Sequence, residues 1–352
     1  MNSLVRQRSL IVAPLAALAL IAPRASAQEP AEEPQEQGAS AAQEGPQPRI
    51  TLIELTPHIA VNDAATLIEA EDYARAIELL DGFIANQPEP VPEAFYLLGV
   101  AHYKLGDAAK ALPPAERAAT LVDDPPTSWL ELVATLLKQR EDYRAAIPWF
   151  ERLIEKEPGN RLYWLELSLA YENVGDYEHA LATMRLAHAA GLLSDDADYR
   201  RLSDLLVHQG VPLEGAVVLE KAIDDQIVRA DEAAYTKLGT AWFIAGEFDE
   251  AVFPLENAAR LADTGDGYVR LAMAHVERQD WAAAIAALHA GMGRGSLSDE
   301  GRANLLMGVA LYAQGKFLEA QDWLAMAAEE PAHRPAAESY LEAIAARTAA
   351  AR

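Results

Sequence analysis

The sequence predicts an all-α solenoid of about eight stacked helix–turn–helix units followed by one closing helix. Three observations predict it. A small residue recurs at Ala76, Ala111, Ala146, Ala180, Gly215, Ala251, Ala284 and Ala320, at intervals of 33 to 36 residues. A second small residue stands twelve positions before each: Ala64, Gly99, Ala134, Ser168, Ser203, Gly239, Ala272 and Gly308. Large residues keep fixed offsets from these anchors. Four positions after them, Leu80, Ala115, Phe150, Met184, Leu219, Leu255, Leu288 and Leu324 are all apolar. Three positions before, most are aromatic, as at Tyr73, Tyr143, Tyr177, Phe248, Trp281 and Phe317.

The elements follow in chain order. Residues 1–27 carry Arg6, Arg8 and Arg24 and no acid, and Leu10 to Ala22 is apolar apart from Pro14. Ala25-Ser26-Ala27 has the small-x-small pattern of a cleavage site, so this stretch reads as a secretory signal peptide cut after Ala27. The apolar run is shorter than the roughly 20 residues that span a bilayer. A periplasmic location and no membrane span after cleavage are expected. Residues 28–49 are rich in Glu, Pro, Gln and Ala, without aromatic or large aliphatic side chains. Such a segment cannot bury enough surface to offset its ordering entropy, and is expected to be a disordered linker.

Residues 50–335 hold the eight repeats. The small residues let the two helices of a unit, A and B, approach closely. The aromatic at the turn wedges between units, and the apolar residue one turn on keeps the B stripe facing inward. One helix pair cannot bury its face alone, whereas stacked pairs share a continuous core. The period of about 34 residues and this pattern resemble the tetratricopeptide repeat (TPR), which implies a right-handed superhelix. The first unit is irregular: Asp63 stands where the other units have Leu, Val or Met. Residues 336–352 read as the capping helix and tail.

Composition limits the chemistry. Cysteine is absent, which excludes a disulfide framework, a thiolate metal site and a cysteine nucleophile. The net charge of −25 disfavours nucleic acid and anionic lipid as partners. None of the eight histidines forms the i, i+4 pair around a Glu that a zinc protease needs. His102 and His275 fall at large packing positions, and His179 and His289 on solvent-facing B-helix positions. Gly291-Met292-Gly293-Arg294-Gly295 lacks the following Lys-Ser or Lys-Thr of a phosphate loop and reads as an inter-repeat connection. Asp195, Asp196 and Asp198 read as the acidic first turn of a helix capped by Ser194. The even spacing leaves no room for a catalytic insert. No catalytic residue, metal site or cofactor is expected, and the chain reads as a binding protein rather than an enzyme.

In a TPR stack, helix A lines the concave face. The register places Tyr96, Val100 and Tyr103 there in the second unit, and Glu131, Thr135 and Lys138 in the third. Leu165, Leu169 and Glu172 follow, then Arg200 and Asp204, then Thr236, Thr240 and Phe243. Arg270 and Met273, then Leu305, Val309 and Tyr312, complete the row. This mixed lining suits an extended peptide or a partner helix. The Lys and Asn clamp of chaperone-binding TPR proteins is missing: Val61, Ala65, Tyr96 and Val100 occupy its positions.

A narrower resemblance covers about Arg161 to Arg347. Trp164 to Leu181, Gly210 to Ile223, Gly267 to Ile285 and Asn304 to Ala327 resemble periplasmic TPR proteins of Gram-negative bacteria encoded beside TonB, ExbB and ExbD. That resemblance implies an accessory of an energy-transduction system for outer-membrane transport. It also implies TonB-, ExbB- or ExbD-type partners or a basic extended segment drawn to the acidic surface. The alternative is an assembly or adaptor factor for outer-membrane or envelope polysaccharide export.

Overall fold

In the computed structural model the described residues are 57–350. They form seventeen α-helices and, among the described residues, no strand. The stretches expected to be a signal peptide and a linker, and the first residues of the expected repeat region, lie outside them. Eight A/B hairpins follow one another: α1 (Pro57–Glu69) with α2 (Tyr73–Asn86), α3 (Pro92–Lys104) with α4 (Ala108–Leu121), α5 (Thr127–Gln139) with α6 (Tyr143–Lys156), and α7 (Arg161–Asn173) with α8 (Tyr177–Ala189). Then come α9 (Asp196–His208) with α10 (Pro212–Asp224), α11 (Glu232–Ile244) with α12 (Phe248–Leu261), α13 (Asp266–Glu277) with α14 (Trp281–Arg294), and α15 (Glu300–Ala313) with α16 (Phe317–Glu329). A single helix, α17 (Arg334–Ala350), packs on α15 and α16.

Every A-to-B turn is built the same way. The residue five before each anchor has positive φ: Glu71, Gly106, Glu141, Gly175, Gly210, Gly246, Gln279 and Gly315, all between 58° and 81°. At the second turn the Gly106 N–H donates to the Tyr103 carbonyl and the Asp107 N–H to the His102 carbonyl, closing the end of α3. In five of the eight turns the next residue then caps the B helix with its side chain. Asp72, Asp107, Asp142, Asp176 and Asp280 each accept a hydrogen bond from the backbone N–H three residues on.

The two small-residue positions do what their spacing implies. A Cβ on Gly239 would lie 2.6 Å from Leu255 Cγ, and one on Gly308 2.6 Å from Leu324 Cγ. In the second hairpin Gly99 faces Ala115, where the added Cβ would lie 3.1 Å from the alanine methyl. Ser168 fills the same position by donating its hydroxyl to the Ala180 carbonyl, 3.1 Å away inside the core. The anchors themselves are buried.

The core runs along the stack rather than around a centre. Leu98 of α3 joins Leu80 and Phe83 of the preceding hairpin. Its counterparts Val133, Leu167, Leu202, Leu238, Leu271 and Met307 are likewise buried. Asp63 is exposed at this position in α1, where no described helix pair precedes it. At the other end α17 sets Ala337 and Ile344 into the last core cluster, with Tyr340 and Leu341 against it.

Two connections differ from the sequence reading in detail. The N-cap of α9 is Asp195, not Ser194. Asp195 and Asp198 form a reciprocal capping box, and the Ser194 N–H donates to the Asp198 carboxylate at 3.0 Å. The glycine-rich run read as an inter-repeat connection is the end of a helix: Gly291 to Arg294 form the last turn of α14, and Gly295 caps it. A Cβ on Gly265 would lie 2.2 Å from the Gly291 carbonyl oxygen, and the Gly265 N–H donates to the Gly295 carbonyl at 2.9 Å.

Candidate interaction surface

Successive A helices approach one another more closely than successive B helices do: α1 meets α3, α9 meets α11 and α13 meets α15. The stack therefore curves with the A helices on its inner side. All nineteen residues singled out from the sequence lie on A helices. Eighteen are half-buried, and Asp204 is exposed.

The row divides into three stretches. In the first, the Tyr96 ring stacks on Trp129 of the next A helix at 5.2 Å between centroids, and burial pushes the Tyr96 hydroxyl above its ordinary pKa. Val100 and Tyr103 pack against the cluster that holds Trp129.

The middle stretch is braced by polar rungs between neighbouring repeats. The Tyr163 hydroxyl donates to Glu131 at 2.6 Å, and its ionisation is pushed upward by burial and by that carboxylate. Lys138 donates to Glu166 at 2.6 Å. Arg201 donates to Glu172 at 2.7 Å, and Lys237 to Asp204 at 2.5 Å. Arg200 reaches Asp231 at 3.1 Å and Asp196 at 2.5 Å. Asp196, hydrogen-bonded by Arg200, lies below the ordinary carboxylate range. Thr135, Leu165 and Leu169 sit between these rungs.

The last stretch is apolar and aromatic. Thr236 and Thr240 precede Phe243, whose ring meets Phe248 edge-on at 5.3 Å. Arg270 and Met273 line a cavity of about 230 Å³ between α13 and the start of α15. Leu305 packs on the core, Val309 is half-buried, and Tyr312 meets Tyr340 of α17 at 5.3 Å under the Arg347 guanidinium.

The sequence reading named one member of most rungs and missed the other. Glu166, Arg201 and Lys237 all stand two residues before the small A-helix residue, a fixed register position that carries the signal. Trp129 and Tyr163 share another, five before it.

This periodic stack is a tetratricopeptide solenoid. The tetratricopeptide-repeat family model matches residues 64–126, 134–191 and 269–337, more than half of the chain, and the chain belongs to that family. No curated protein matches it. Among solved structures it is similar to MamA from Desulfovibrio magneticus RS-1, at 18% identity over 47% of this chain and 93% of that one, with a TM-score of 0.38. It is also similar to YrrB, titled a TPR protein with an unusual peptide-binding site, at 16% identity, 57% and 97% coverage and a TM-score of 0.44. The APC/C hetero-tetramer Cut9–Hcn1 matches at 14% identity over 84% of this chain and 57% of its own, with a TM-score of 0.39.

The family and the fold define a protein-interaction scaffold. No helix among the described residues is long and apolar enough to cross a membrane.

Proposed function

We propose that this protein is a periplasmic scaffold whose A-helix groove holds a segment of a partner protein. The partner belongs to a TonB/ExbB/ExbD-type energy-transduction system. The observation that carries the binding role is the row of A-helix side chains from Tyr96 to Tyr312, all of them half-buried except Asp204. Half-buried residues keep surface to offer while their rotamers are held by neighbours, which lowers the entropy cost of capture. The periplasmic address rests on the signal-like residues 1–27. The partner class rests on the sequence resemblance and on charge. A chain of net charge −25 favours encounter with a basic extended segment, and TonB-type periplasmic segments are rich in Pro and Lys.

Cross-linking the tagged protein in its host periplasm, followed by identification of what co-purifies, tests this. Recovery of TonB-, ExbB- or ExbD-type proteins, weakened by high salt, is the expected result. Recovery of outer-membrane or polysaccharide-export components instead would assign the groove to envelope assembly. Recovery from the cytoplasm alone would end the periplasmic reading.

A further inference from the structure

On the outer side of the stack the B helices keep a register of their own. The residue five after the anchor of one B helix faces the residue one before the anchor of the next. Arg185 of α8 meets Glu214 of α10 in this way, with Nε 3.2 Å from a carboxylate oxygen. The same two positions carry Glu151 and His179 one junction earlier, and Asp81 and Lys110 near the start. At the junction of α10 and α12 the pattern inverts. Glu220 meets Glu250 there, and no other junction places like charges at these positions. Asp224 stands one turn further along α10. Burial, Asp224 and Glu250 together push the Glu220 carboxyl above its ordinary pKa. The cations nearby are engaged elsewhere: Lys221 with Asp225, Lys237 with Asp204, Arg260 with Glu256 and Arg278 with Asp249. Glu220, Asp224 and Glu250 are left without an ion pair among the described residues.

A second group points to the same place. Trp242 of α11, behind Glu220, is 6% exposed, and its indole N–H faces that carboxylate without closing a hydrogen bond. A buried open donor favours an acceptor that is ionised and turned inward. Glu220 becomes that acceptor once a cation offsets Asp224 and Glu250 from outside.

The surroundings are apolar. Leu213, Val217, Glu220 and Asp224 follow one another at helical spacing along one stripe of α10, and Glu250, Phe253 and Leu261 along one stripe of α12. The four apolar members are exposed, Phe253 by 65%, and the Phe253 ring meets Tyr235 edge-on at 6.4 Å. Exposed apolar side chains grouped around a charge mark an interaction surface.

We propose that the outer face of α10 and α12 is a second interaction surface, which takes a basic amphipathic helix of a partner protein. A Lys or Arg of that helix enters between Glu220 and Glu250, and its apolar side chains one turn to either side cover Val217 and Phe253. The α10 stripe runs for about three turns, a length that a helix follows with residues at matching spacing. A long cationic side chain fits better than a bare metal ion, because no three acidic or histidine side chains among the described residues converge at ligand distance. The surface is separate from the A-helix groove and does not rest on the reading of that groove.

The test uses the full chain and two fluorescein-labelled, amidated helical peptides rich in Ala and Gln, read by anisotropy. One peptide carries a Lys with a Leu one turn to either side, and its twin has Gln in place of the Lys. The expected result is at least fivefold tighter binding of the Lys peptide. The preference should vanish in the Glu220→Gln/Glu250→Gln double variant, which removes a repulsion and so keeps the thermal midpoint. It should survive Asp81→Asn/Glu319→Gln, which removes as much charge elsewhere on the B helices. Phe253→Asn should weaken both peptides alike. Equal or absent binding of the two peptides overturns the surface. So does a preference that persists in Glu220→Gln/Glu250→Gln or is lost in Asp81→Asn/Glu319→Gln, since long-range charge alone would then account for it. A dimer of the free chain that Phe253→Asn dissociates also overturns it, because a second copy would cover the face. Each of these failures leaves the groove reading standing.

Discussion

Arg161 on α7 grips Asp198 on α9 through Nε and Nη2, each 2.7 Å from a carboxylate oxygen. Asp198 is 2% exposed, and the Ser194 and Asp195 backbone N–H groups donate to it as well. One carboxylate thus shapes the connection into α9 and ties the fourth repeat to the fifth. Arg161→Leu strands that carboxylate in the core. It should cost about 3 kcal/mol, read as a lowered midpoint in thermal or urea unfolding. An unchanged midpoint would mean that the pair is idle.

The same group gives the stack an acid-sensitive point. Burial alone would raise the Asp198 pKa, but Arg161 and the two backbone donors outweigh it and hold it below the ordinary value. Its stabilisation is therefore fully present above about pH 4, the unfolded carboxylate value, and is lost as pH falls through the lower folded value. Unfolding midpoints measured from pH 6 to pH 2 should fall less steeply in Asp198→Asn than in the parent.

Gly239 tests the close approach of the A and B helices. An added methyl would sit 2.6 Å from Leu255 Cγ and 3.1 Å from the Leu255 backbone nitrogen. Gly239→Ala should destabilise by ~1–3 kcal/mol. Combining it with Leu255→Ala should cost less than the two separate effects added together. Strict additivity would show that the contact relaxes freely.

Three A-to-B turns place side chains in the left-handed region, at Glu71, Glu141 and Gln279. A non-glycine residue there is strained by roughly 1–2 kcal/mol, partly offset by the lower entropy of its unfolded chain. Glu141→Gly and Gln279→Gly should each raise stability by ~0.5–1 kcal/mol, whereas Gly246→Ala should lower it by a similar amount. Calorimetric midpoints moving in the opposite directions would remove this account of the turn.

Tyr171 should report on packing at high pH. Burial, with Glu151 accepting from its hydroxyl at 2.8 Å, pushes its ionisation up to about 12. The linked stability is present below about pH 10, the unfolded value, and is lost as pH rises through the folded value. Absorbance titration near 295 nm should show one fewer late-ionising tyrosine in Tyr171→Phe.

Most of the fold was legible because it repeats. A position that must be small, such as Gly239 or Ala272, is written eight times, so local noise averages out. Inter-repeat pairs were not legible in the same way. Lys138 and Glu166 stand 28 residues apart, and Asp204 and Lys237 33 apart, because the first partner takes a different register position in each pair and the repeats differ in length. Only the shared register brings them together, and a charged residue at a surface position carries no mark of its partner. The α9 cap was misread for a local reason: Ser194 and Asp195 are both good caps, and Arg161, on another helix, favours the aspartate arrangement.

The left-handed residue at the same place in every A-to-B turn has a consequence for length. Each hairpin leaves its turn in the same orientation whatever its neighbours are, so the molecule behaves as a ruler marked in units of about 34 residues. Whole notches can be added or removed between α3 and α14 while the cap α17 still meets a compatible last hairpin. The distance between the two ends can thus change in discrete steps over evolution, matching partners of different reach, once the charge pairs of the new junction, such as Arg161 with Asp198, are rebuilt.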